Sequence, residues 1–162
     1  MRRFPFQATL AAVALCATTV AAQAQVPVYG TNVSLDQARK ALAAALADAR
    51  RQNLPMAVAV VDTAGMLVAF ERMDNTQTGS VQVAQDKAQS AAMFRRPTKA
   101  FQHAIAGGGA GLRILMLRGA NGVEGGLPLV LDGKIIGGIG VSGGSSEQDG
   151  VVAQAGVEAL GK

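Results

Sequence analysis

A chain of 162 residues with 15 Lys and Arg against 11 Asp and Glu carries a formal charge of +4. With no tryptophan, one tyrosine and five phenylalanines, it lacks the base-stacking platforms and dense basic surface of a nucleic-acid binder. A single cysteine and a single histidine leave too few ligands for a disulfide framework, an iron–sulfur cluster or a structural zinc site.

Residues 1–24 read as a cleaved signal peptide. Arg2 and Arg3 precede an apolar run from Leu10 to Val20 that is too short to span a bilayer, and Ala22-Gln23-Ala24 supplies the cleavage pattern. Cys16 leaves with this peptide, and Leu15 before it is too large for a lipoprotein signal. The mature chain is expected to begin at Gln25, in the periplasm or outside the cell, with no membrane span. Losing two arginines leaves it with only a small positive surplus.

Residues 25–33, with Pro27 and Tyr29, form an N-terminal lead-in, and residues 34–162 are long enough for one domain with a real core. Ser34-Leu-Asp-Gln37 is a capping-box pattern, and Leu35, Ala38, Leu42, Ala45, Leu46 and Ala49 follow at helical spacing toward Gln52. The apolar run ending at Val61 predicts a buried strand. Asp62-Thr-Ala-Gly65 predicts a turn, and Met66 to Arg72 the returning strand.

The stretch from Asp86 to His103 predicts a helix, a corner at Pro97 and a second short helix through Ala106. Thr98 is a candidate cap for that second helix, or a hydroxyl available to a ligand. Lys99 and His103 are four residues apart and share a face, as do Phe101 and Ile105 on another. Between Lys87 and Val123 stand Lys87, Arg95, Arg96, Lys99, Arg113 and Arg118, without a carboxylate, which suggests an anion-facing surface.

Gly107 to Gly111 lacks the Lys-Ser/Thr ending of a phosphate loop and reads as a flexible connection. Leu112 to Leu117 predicts a short helix or a covering segment. Leu127 to Leu131 and Lys134 to Val141 form a second hairpin around Asp132-Gly133, and Gly137, Gly138 and Gly140 predict close packing on the second strand. Ser145 to Gln148 opens the last helix, with Val152, Ala155, Ala159 and Leu160 inward. Two hairpins separated by helices give an α+β fold: one α/β/α layered domain with an antiparallel sheet covered by helices. Its small side chains favour a homo-oligomer that completes the core.

Hydrolytic chemistry finds little support. No spacing brings Asp62, Glu71, Asp74 and Glu124 into an acid–base pair, and Ser142 in Gly140-Val-Ser-Gly-Gly144 lacks the setting of a nucleophile elbow.

Three stretches resemble the GlcG/HbpS-type haem-binding family, also called the haem-degrading domain: AVAVVDTAGMLVAFERMD at 57–74, KAQSAAMFRRPTKAF at 87–101 and EGGLPLVLDGKIIGGIGVSGGSSEQD at 124–149. The resemblance spans Ser34 to Leu160. It implies the layered fold, oligomers, and haem or another tetrapyrrole as ligand, with a corrinoid as the alternative. Haem needs an apolar slot, cations for its propionates and an axial donor. Phe94, Phe101 and Ile105 are candidates for the slot, and Arg95, Arg96 and Lys99 for the propionates. His103 is the natural metal donor; Thr98 is a second candidate and Tyr29 a remoter one. Without C-x-x-C-H the haem is non-covalent. The expected function is an exported haem carrier, buffer or sensor. The alternatives are an oxidative haem-degrading enzyme and a non-haem accessory subunit of an envelope sensor or small-molecule pathway.

Overall fold

The predicted capping box at Ser34 forms, a second one forms at Ser145, and each starts a helix that covers the same side of the sheet. The Ser34 hydroxyl accepts the Gln37 N–H at 3.2 Å while Gln37 Oε1 accepts the Ser34 N–H at 2.9 Å, opening α1 (Leu35–Arg51). Ser145 and Gln148 repeat the arrangement at 3.3 and 2.9 Å to open α4 (Ser146–Leu160). This geometry comes from a computed structural model that describes residues 26–161; the expected leader peptide lies outside the described residues.

The first hairpin joins β1 (Ala57–Val61) to β2 (Leu67–Arg72), with the Asp62 carboxylate accepting the Ala64 and Met66 N–H groups at 2.9 Å each. The second joins β3 (Gly126–Leu131) to β4 (Lys134–Ser142). Asp132 and Gly133 both take positive φ there, 49° and 72°, the twist that two-residue hairpins favour. β1 then pairs antiparallel with β4, from Ala57 opposite Ser142 to Val61 opposite Gly138, giving the order β2-β1-β4-β3.

Helices α1 and α4 bury Leu42, Leu46 and Val152 against Val58, Val60 and Ile139 on one face. On the other face lies α2 (Ser80–Phe94), whose Ala84, Ala88 and Ala92 meet Ala57, Ala59 and Val61. The glycines of β4 make this contact possible: a Cβ at Gly140 would overlap the Ala84 carbonyl, and one at Gly138 the Ala88 carbonyl. The predicted close approach to this strand is therefore that of the α2 backbone. A short α3 (Thr98–Ala106) follows the corner, and a 3-10 helix (Gly109–Met116) packs on it; of the two readings of Leu112 to Leu117 it is the short helix that forms, and it begins within the glycine run read as a flexible connection. No helix among the described residues is long and apolar enough to cross a membrane.

Candidate functional site

The corner between α2 and α3 is built from backbone geometry first. Helix α2 stops because Arg95 turns left-handed, φ 53° and ψ 38°, at its C-cap. Pro97, with φ −57° and ψ 140°, then starts α3. Pro97 holds the N-cap position, so Thr98 is the first helical residue and does not cap. Thr98 is fully buried, and its hydroxyl accepts the Gly126 N–H at 3.0 Å, tethering α3 to the start of β3. The hydroxyl considered as a metal donor thus points at β3 backbone.

The two arginines are braced by aromatic rings. The Arg95 guanidinium lies 5.4 Å from the Tyr29 ring centroid, and that of Arg96 lies 5.6 Å from Phe101. Tyr29 is itself fixed, its hydroxyl shared between the Met93 and Ala92 carbonyls at 2.9 and 3.1 Å. Arg96 Nε donates to the Phe94 carbonyl at 3.1 Å, and Phe94 meets Phe101 edge to face at 5.4 Å. Phe94 and Phe101 therefore support Arg96 and each other, and neither lines the apolar groove beside Arg95.

The acid-free cationic run separates into different roles. Lys87 is buried, its ammonium 2.7 Å from Asp149 Oδ2 and 3.1 Å from the Val141 carbonyl, so it is structural. Burial pushes the Asp149 carboxyl above its ordinary value, opposed by Lys87 and by the Gly144 and Gly143 N–H groups. Lys99 pairs with Glu124 at 3.1 Å on the surface. Arg95, Arg96, Arg113 and Arg118 form no ion pair with a carboxylate among the described residues. His103 is exposed on α3, with no hydrogen bond from its ring.

The apolar slot lies on the other side of Arg95. A groove of about 300 Å³ runs between the corner, the outer strand β3 and α4. Pro27 of the lead-in forms one wall, and Arg95 and Pro97 a second. Leu127, Pro128 and Val130 of β3, with Ile135 of β4, supply the floor, and Val157 and Gln154 of α4 the far side. Only Arg95 and Gln154 are polar. The lead-in is held there by backbone bonds, Gly30 N–H to the Ile135 carbonyl at 2.8 Å and Ile135 N–H to the Val28 carbonyl at 2.9 Å. Two larger depressions along α1 and α4, about 390 and 450 Å³, share Asp48, Arg51, Ala155 and Glu158 and carry charges of both signs.

Tested against haem, this arrangement offers apolar surface and one cation for a carboxylate but no donor for the iron. The groove supplies apolar surface, and the unpaired Arg95 suits a propionate. Neither His103, Thr98 nor Tyr29 lines it, and among the described residues no three His, Cys, Asp or Glu gather as metal ligands. The groove walls were missed in the sequence. Their one signal was β3 itself: GLPLVL has no polar residue, yet Pro128 marks it as an edge strand, so apolar side chains face outward on an uncovered border.

Known proteins share this architecture. A Protein GlcG from Escherichia coli K12 is 37% identical over 114 residues, covering 69% of this chain and 84% of the relative. A crystallised double mutant of HbpS from Streptomyces reticuli superposes with a TM-score of 0.76 at 30% identity, covering 91% of this chain and 99% of the other. A crystal structure of PduOC in complex with heme superposes with a TM-score of 0.72 at 30% identity, covering 80% and 95%. The family model described as haem degrading protein HbpS-like matches residues 33–158, and the chain belongs to that HbpS-like family.

Proposed function

We propose that this is an exported tetrapyrrole-binding protein that carries, buffers or senses haem. One observation carries the reading: a left-handed arginine, braced on a tyrosine ring and without a carboxylate partner, lines an apolar groove. A guanidinium so placed is ready for a bidentate bond to a propionate at little entropic cost. Arg96 supplies further positive charge at the corner, Lys99 being paired with Glu124; Phe94 and Phe101 hold Arg96, and Thr98 positions α3. The heme complex of PduOC supports the ligand class. A corrinoid carries amides around its ring and its negative charge on the phosphate of its nucleotide loop, so its ring edge would bring no carboxylate to Arg95 and it is the less favoured ligand. When bound, haem brings its own redox and oxygen chemistry; the residues here bind and orient it.

Oxidative haem degradation is the second reading, favoured by the family's description. Carriage is preferred because degradation requires iron held by a donor, and no such donor lines the groove. Leu115 and Met116, 68% and 86% exposed on the 3-10 helix, support self-association, which light scattering of the purified protein would measure.

The test is a haemin titration of the exported protein followed at the Soret band, with Arg95→Ala/Arg96→Ala and His103→Ala beside it. Saturable binding lost in the arginine variant is expected. Bound haem should persist in ascorbate and oxygen; its ring opening would favour the enzyme. A folded wild type without saturable binding would leave the accessory-subunit reading. Cell fractionation tests export.

A further inference from the structure

We infer that the groove recognises a tetrapyrrole by its ring and carboxylate and not by its metal, so that metal-free protoporphyrin binds about as well as haem. The inference rests on the tetrapyrrole reading above and goes further by naming which part of the ligand is read. No candidate iron donor lines the groove. The Tyr29 hydroxyl is given to the carbonyls ending α2, and its ring lies against Arg95. The Thr98 hydroxyl is buried on Gly126. The His103 ring stands exposed and is absent from the groove walls.

What the groove does present is the complement of a porphyrin edge. Leu127, Pro128, Val130 and Val157 give apolar contact that is indifferent to the metal, and Arg95 gives one fixed cation. A vinyl- and methyl-bearing edge would seat on these side chains, with the propionate on the guanidinium. The occupant is thus a porphyrin with a free carboxylate, selected by charge complementarity at a single arginine.

The experiment titrates haemin, protoporphyrin IX and zinc protoporphyrin separately into the exported protein, by absorbance for the first and porphyrin fluorescence for the others. Arg95→Gln, Val130→Glu and His103→Ala are tested in parallel, with circular dichroism as the folding control. The expected Kd values agree within about three-fold across the ligands. Arg95→Gln should weaken all three by roughly tenfold or more, the loss of a charge-assisted hydrogen bond. Val130→Glu, on an already exposed position, should weaken them similarly by placing a like charge beside the propionate, and His103→Ala should change none. Haemin binding at least about tenfold tighter than protoporphyrin, or a loss in His103→Ala confined to haemin, overturns metal indifference while leaving tetrapyrrole binding intact. Failure of folded wild type to bind any of the three overturns both readings.

Discussion

Replacing Arg95 by glycine is expected to stabilise the protein while weakening its ligand binding, and replacing it by alanine to do harm on both counts. Among the described residues, four non-glycines have positive φ: Asn53, Asn75, Asp132 and Arg95. The first three are residue types whose short polar side chains tolerate that region; arginine has no such compensation and costs about 1 kcal/mol or more there. The Tyr29 contact returns about 0.5–1 kcal/mol. Glycine removes the strain and the contact together, for a net gain of up to about 1 kcal/mol; alanine keeps the strain and loses the contact, for a net loss of about 0.5–1 kcal/mol. The two variants should therefore differ by about 1–2 kcal/mol in urea denaturation, while both bind protoporphyrin poorly. Equal stabilities would refute the strain argument. A stabilised glycine variant with undiminished binding would show that the backbone is not strained for the ligand's sake.

Other consequences follow from the packing. Gly140→Ala drives a methyl group into the Ala84 carbonyl, a backbone atom that cannot rotate away, and should lower stability by about 3 kcal/mol in thermal melts. Asp149→Ala strands the buried Lys87 ammonium and should cost about 3–5 kcal/mol, whereas Lys87→Met with Asp149→Leu should recover most of that loss. Because burial raises the Asp149 carboxyl above 3.8, folding favours its protonated form; that contribution is complete below pH 3.8 and lost as pH rises through the folded value. Urea midpoints of wild type minus Asp149→Asn should accordingly fall with rising pH, and a rise would refute the desolvation argument.

What was legible in the chain was what is decided locally. Ser34 with Gln37, Ser145 with Gln148, and Asp132 with Gly133 each settle a terminus or turn within four residues, and each forms as expected. The small residues of β4 announced a close neighbour, though not that the neighbour is α2. Non-local facts stayed hidden. Nothing near Lys87 reveals that its partner is Asp149, 62 residues away, so a buried ion pair was counted with the anion-facing cations. Phe94 and Phe101 read as slot walls because large apolar side chains carry no mark of which surface they meet; in the fold they meet each other edge to face. The groove needed the strand order, which puts β3 at an edge beside α4.

The same segment that hides these facts also explains how the site is held. Glu124 to Gly126, just before the groove floor, is fastened to α3 at three points: Gly126 N–H to Thr98, Glu124 N–H to Gln102 Oε1 at 2.7 Å, and the Glu124 carboxylate to Lys99. Residues 98 and 99 lie in the first turn of one short helix and 102 in the second, so the helix cannot slide without breaking all three. On the other side, the Gly125 carbonyl accepts the Val141 N–H at 2.9 Å, and the Val141 carbonyl accepts from Lys87, tying the same strand end to α2. The positions of Pro97 and Pro128 across the groove are thus set by hydrogen bonds to backbone on both flanks. A groove walled this way changes width little, which suits a rigid planar ring better than a flexible chain, and it leaves Arg95, whose backbone is held left-handed at the helix end, as the residue that meets the ligand's charge.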